Sequence, residues 1–169
     1  LHMRVKHRAL VSDGLLLASP LSHEQESALV QRARGQRQQD GLCLIFTEHA
    51  LRDQWFSHLH PSFGAAVIST SPAQQSNDAN LAAFGAYELL LHSLQLVSPR
   101  YDMLALLHED ERGCLFDLCR DHRRLAYKLD AMGLCPSCRT QLDTCGIDSA
   151  AVDAASAIVA SLQREACPA

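Results

Sequence analysis

Two apolar runs of strand length stand out along the chain, 42–47 (LCLIFT) and 64–70 (GAAVIST). Neither alternates with polar residues, so each predicts a strand covered on both faces. Between them, 48–58 (EHALRDQWFSH) predicts a helix, with Thr47 as N-cap and Pro61 as its stop. Upstream, Ser22 stands three residues before Gln25, the spacing of a capping box. It predicts a helix over 22–38, polar on most faces and ended by Asp40-Gly41. Before it, 4–11 (RVKHRALV) and 15–19 (LLLAS) flank Ser12-Asp13-Gly14 and predict a hairpin.

Downstream, 71–78 (SPAQQSND) predicts a polar loop. The run 79–97 (ANLAAFGAYELLLHSLQLV) is apolar on nearly every helical face and predicts the central core helix, ended by Ser98-Pro99. Residues 103–107 are apolar again. Helical spacing returns over 121–132, with Asp121 as cap, and over 147–162, a helix of small residues. The pattern predicts an α/β fold. A small mixed sheet packs on the core helix 79–97, beside a zinc-binding subdomain at 108–143, all in one domain over 4–169. Leu1-His2-Met3 reads as a cloning remnant, so the expectation includes a longer parent protein.

A chain of 169 residues buries a core without help from disulfides. With 47% hydrophobic and 20% charged residues it is globular rather than disordered. The net charge of −4 argues against a broad nucleic-acid-binding face. The one basic cluster, Arg32, Arg34 and Arg37, reads as a solvated helix face. No apolar run approaches the ~20 residues of a membrane span, and no signal peptide is recognisable.

Of seven cysteines, four fall between positions 114 and 138. Such clustering favours a metal over a disulfide framework and points to a reducing, cytoplasmic compartment. The spacing is Cys114-x4-Cys119, fifteen residues, then Cys135-x2-Cys138. Two thiolate pairs on two turns supply the tetrahedron zinc requires. In LCPSCRTQL, proline and small residues form a tight turn whose backbone N–H groups face the sulfurs. The expected ligands are therefore Cys114, Cys119, Cys135 and Cys138, around one structural zinc per chain. Buried free thiols, or a disulfide pair, are the alternative. His122 is a possible replacement ligand, set against a solvated histidine at a helix start. Cys43, Cys145 and Cys167 read as ordinary small residues.

This cysteine spacing resembles the second half of the archaemetzincin signature. In that family a HExxHxxGxxH helix and turn is followed by C-x4-C, a methionine and C-x2-C. The order of strand 42–47, helix, strand 64–70, polar loop and core helix 79–97 is also similar, over about residues 40–140. The resemblance implies a zincin-like α/β fold whose four cysteines hold a structural zinc. If Glu88 is the family's glutamate, Tyr87 and Leu91 stand at its first two histidines. Gly113 precedes Cys114 where a histidine belongs, and Asp121 replaces the methionine. The implied module keeps the structural metal and lacks the catalytic one.

Other candidates carry weaker signals. Glu88 and His92 lie at i, i+4 on one helix face, and His108 with Glu109 are the candidates to complete a second metal site; a simple Glu–His hydrogen bond is the alternative. His58 and His60 flank Leu59. On an extended segment they share a side, as two ligands would; at a helix end they would favour the dipole. Ser69-Thr70-Ser71 follows an inner strand, where binding loops often sit, with no glycine-rich phosphate loop. Arg112 and Asp117 are placed to pair across the zinc turn.

The functional expectation is a non-catalytic, zinc-stabilised module, a recognition or regulatory part of a longer protein that meets a protein partner or neighbouring domain. The competing expectations are a metallopeptidase using Glu88, His92 and His108, and a nucleic-acid-binding zinc ribbon.

Overall fold

The run predicted at 64–70 forms the centre of the sheet. The computed structural model describes residues 20–35, 43–53, 55–76, 78–97 and 103–166. The chain runs α1 (His23–Gly35), β1 (Cys43–Thr47), β2 (Ser57–His60), β3 (Ala65–Ser69), α2 (Ser71–Gln75) and α3 (Leu81–Val97). It continues through α4 (Met103–Leu106), α5 (Leu125–Asp130), α6 (Pro136–Thr144) and α7 (Ser149–Ala166). The strand order is β1-β3-β2. β1 pairs parallel to β3, from Cys43 opposite Ala65 to Thr47 opposite Ser69. β2 pairs antiparallel on the other side, with Ser57 opposite Ile68 and His60 opposite Ala65. The fold is mixed α/β with a small mixed sheet, as the apolar pattern predicts.

All of β3 is buried, as a central strand should be. β1 departs from expectation. It is covered on one face more than the other, and Phe46 is 47% exposed. Its alternation divides two cores. Cys43 and Ile45 join Ala65 and Val67 beneath Val30 and Ala33 of α1. Leu44 packs on the other side, into the core that holds Ile68 of β3 with Phe84, Tyr87 and Leu91 of α3. The Phe46 ring lies over Gly85 of α3, where an added Cβ would meet it at 3.8 Å. The sheet thus sits between α1 and α3, and α7 packs along α3, α5 and α6.

The capping box forms as its spacing predicts: Ser22 N–H donates to Gln25 Oε1 at 2.9 Å and Gln25 N–H to Ser22 Oγ at 3.3 Å. α1 nevertheless buries Glu26, Val30 and Ala33, because it roofs one face of the sheet. Asn80 opens α3 by accepting from Ala82 N–H at 2.8 Å, and it donates through Nδ2 to Leu162 O at 2.6 Å. Gln163 Nε2 donates back to Asp78 O at 2.6 Å, so the end of α7 is fastened to the start of α3. Asp148 opens α7 by accepting from Ala150 N–H and Ala151 N–H at 3.0 and 3.2 Å.

Three expected elements differ. Among the described residues of 48–58 the expected helix does not form: Thr47 Oγ1 accepts from His49 N–H at 3.2 Å and Asp53 Oδ1 from Trp55 N–H at 3.3 Å. These side-chain turns divert the backbone, and β3 then offers Ser57–His60 a strand partner. The loop expected at 71–78 begins with α2, which has Pro72 in its first turn. The helix expected at 121–132 is a short 3₁₀ turn, His122–Arg124, leading into α5; Asp121 caps it, accepting from Arg123 N–H at 3.1 Å. The hairpin expected at 4–19, together with Arg37 and Cys167, lies outside the described residues. Among those described, no helix is long and apolar enough to cross a membrane.

Candidate metal centre

A short crossing of chain segments builds the centre. After α4 the backbone turns so that His108 N–H donates to Phe116 O at 3.0 Å and Leu118 N–H to His108 O at 2.8 Å. This closes 108–118 into a loop. Gly113 adopts φ +72°, where a side chain is strained, and its missing Cβ would lie 3.1 Å from Ala131 O. That close approach lets Leu115 N–H reach Gly133 O at 2.7 Å and Gly133 N–H reach Gly113 O at 3.0 Å. The bonds lay Cys114 beside Gly133, two residues before Cys135. Pro136 then starts α6, which presents Cys138 from its first turn.

Four ligand atoms converge there. One atom each from His108, Cys114, Cys135 and Cys138 lies within 4.8 Å of all the others. His108 Nε2 is 3.0 Å from Cys138 Sγ and 3.3 Å from Cys135 Sγ. Sulfurs around a tetrahedral zinc stand ~3.8 Å apart, given Zn–S bonds of ~2.3 Å. Three sulfurs and one imidazole nitrogen are a donor set suited to such an ion. Cys114 and Cys138 are buried, while Cys135 is half-buried at the rim.

Three of the four expected cysteines therefore meet, and the fourth position is taken by a residue assigned elsewhere in the sequence reading. Cys119 is not part of the group; its Sγ faces Asp121 O at 3.4 Å. His108 stands in its place, so the expected four-thiolate set becomes three thiolates and a histidine. The C-x4-C spacing suggested Cys119. The bonds that join His108 to Phe116 and Leu118 bring the histidine level with Asp117 and into the converging group.

Supporting bonds shape the loop. Asp117, 6% exposed, accepts through Oδ2 from Arg112 N–H at 2.7 Å and Cys114 N–H at 2.8 Å. The expected pairing of Arg112 with Asp117 is thus made by the backbone; the Arg112 guanidinium pairs with Asp110 at 2.6 Å. Buried Lys128 of α5 donates to Leu115 O and Asp117 O beneath the loop. Burial lowers its pKa, against the attraction of Asp117, Cys119 and Cys114.

The thiols differ in charge state. Burial pushes Cys114 and Cys119 up. It pushes Cys138 up further, and the neighbouring Cys114 adds to the effect. At Cys135 burial also acts upward, yet hydrogen bonds from Ser137, the Cys138 backbone N–H and the Cys138 and Cys114 thiols outweigh it, holding the thiol at about 6. A divalent cation would reverse the upward shifts at Cys114 and Cys138, since a coordinating thiol is deprotonated outright.

The remaining candidates are placed elsewhere. Glu88 and His92 are buried in α3, with Oε2 and Nε2 3.3 Å apart, and His92 Nε2 is 2.9 Å from Ser57 Oγ. They do not converge with His108. Glu109 is exposed and pairs with Arg120 at 2.8 Å. The His122 ring packs on Phe56, with centroids 4.9 Å apart. Ser69 and Thr70 are buried: Thr70 Oγ1 donates to Thr47 O at 3.2 Å, and Ser69 Oγ accepts from Ser71 N–H at 3.2 Å. That segment closes a strand end. Comparison with protein-family models, with curated proteins and with solved structures finds no match to this chain.

Proposed function

We propose that the chain is a non-catalytic, zinc-stabilised module of zincin-like type, acting as a recognition or regulatory part of a longer protein. The observation that carries this reading is the convergence of His108, Cys114, Cys135 and Cys138. Four protein ligands fill a tetrahedral zinc and leave no position for water, so the ion would hold the fold rather than perform chemistry. Its ligands join the loop after α4 to the first turn of α6. The interior of α3 supports the same reading. At the positions where the archaemetzincin resemblance expects catalytic histidines, Tyr87 and Leu91 are core residues, 6% and 8% exposed. Glu88 between them is 1% exposed, too enclosed to serve a water at an open metal.

The test pairs metal removal with an activity assay. Chelation should raise hydrogen exchange across 108–144 and leave α3 protected, and a mixed peptide library should survive incubation with the zinc-loaded protein. Cleavage that disappears in Glu88→Gln would defeat the reading and favour the metallopeptidase.

A further inference from the structure

A second convergence of titratable side chains lies on the α1 face of the sheet. Glu26, in the first turn of α1, is 1% exposed. Its Oε2 lies 2.8 Å from His58 Nδ1 and 3.6 Å from His60 Nε2. Both histidines belong to β2, two residues apart, and therefore share a side. The other ring nitrogen of His58, Nε2, lies 2.9 and 3.0 Å from Asp53 Oδ1 and Oδ2. His23, opening α1, stacks on the His58 ring with centroids 5.8 Å apart.

Proton counting makes this arrangement specific. An ionised carboxylate only accepts hydrogen bonds, and a neutral imidazole has a single N–H to give. His58 places both nitrogens on carboxylate oxygens, so with both carboxylates ionised it satisfies both only as an imidazolium. His60 is no substitute. Its Nε2 is buried without a hydrogen-bond partner, and 3.6 Å is beyond hydrogen-bond reach of Glu26. A carboxylate as enclosed as Glu26 needs a bonded, opposite charge. The cluster also differs from the metal centre, because its ligand atoms do not draw together as a metal group.

We propose that His58 is a cationic bridge, a proton-operated clasp that fastens α1 to the sheet through Glu26 and to the 48–56 segment through Asp53. With two ring protons both bonds are made. When one is lost, a carboxylate faces a bare nitrogen lone pair, and the buried Glu26 loses its countercharge or the Asp53 contact opens. The groups facing the ring are Glu26 and His23 from α1, Asp53 from the preceding loop and His60 from β2; β3 offers the apolar Val67 opposite His58. The clasp therefore adds to stability in mildly acidic solution and withdraws that addition as pH rises through neutrality. What it releases is α1, the cover over Cys43, Ile45, Ala65 and Val67.

Hydrogen exchange over 23–35, corrected for intrinsic rates, tests this on metal-loaded protein at about pH 5.5 and about pH 8, the span in which histidine changes charge. Wild type should open more readily at the higher pH. Acid loss of metal from the other site would act in the opposite direction. In Asp53→Asn the new amide donates to Nε2 of a neutral His58, which keeps its Nδ1–H bond to Glu26, so the loss of α1 protection between the two pH values should be smaller than in wild type. His58→Gln should leave α1 poorly protected throughout. Should that variant fail to fold, Asp53→Asn carries the test alone, because Asp53 is 49% exposed and asparagine keeps an oxygen to accept from Trp55 N–H. Protection in wild type that ignores pH, or the full pH effect surviving in Asp53→Asn, would overturn the proposal. So would a second equivalent of zinc that vanishes in Asp53→Asn.

Discussion

His108 Nε2 stands 3.0 Å from Cys138 Sγ, across thirty residues of chain. An imidazole that close to one ligand thiol and 3.3 Å from another has the place of a fourth ligand. His108→Ala should therefore weaken zinc binding by more than about 100-fold, beyond the cost of losing a supporting partner of a metal ligand. Cys119→Ser should leave affinity within a few-fold of wild type. Competition against a chromogenic chelator measures both. Equal losses in the two variants would mean that the ligand set is not the one described.

Asp117 organises the loop without being a ligand. Its Oδ2 receives two backbone N–H groups, from Arg112 and Cys114. Asp117→Ala leaves both donors unpaired; Cys114 N–H is the buried one, and a buried orphan costs about 1–3 kcal/mol. Thermal unfolding of the zinc-loaded variant should fall by several degrees at least. Asp117→Asn keeps an acceptor oxygen and should lose less. An Asp117→Ala protein melting with wild type would show that the loop does not depend on these bonds.

Much of this architecture is legible from short-range chemistry. The Ser22–Gln25 capping box, the inner strand at 64–70 and the apolar helix α3 each follow from a few neighbouring residues. β2 was not legible, because the pattern of 48–58 suits a helix and only the hydrogen-bonding partners that β3 offers in the folded sheet turn Ser57–His60 into a strand. The metal centre divides the same way. Cys135 and Cys138 lie on the tight turn that Pro136 and its small neighbours predict, although that turn is also the start of α6, which is not among the elements predicted from the sequence. The choice between Cys119 and His108 depends on backbone bonds from His108 to Phe116 and Leu118, which spacing alone does not encode. Glu26 is the clearest omission. A glutamate on a polar helix gives no local sign of burial, and only its meeting with His58 and His60 reveals it.

The unequal thiols predict a labelling order in metal-free protein. Cys135, held at about 6, is mostly thiolate at neutral pH and sits at the rim. Cys119, pushed up by burial, is mostly thiol there. Iodoacetamide should label Cys135 first, with a rate that rises through about pH 6 and then levels, whereas Cys119 keeps accelerating into alkaline solution. Peptide mapping by mass spectrometry follows both sites. Cys119 labelling as fast as Cys135 at neutral pH would contradict the order, and zinc should protect Cys135.

X-ray absorption at the zinc edge, on reduced protein whose metal content has been counted, addresses the centre itself. The expected result is about one zinc per chain with three sulfur neighbours at ~2.3 Å and one nitrogen at ~2.0 Å. No zinc in unchelated protein, or a shell of four sulfurs, would contradict the centre described here.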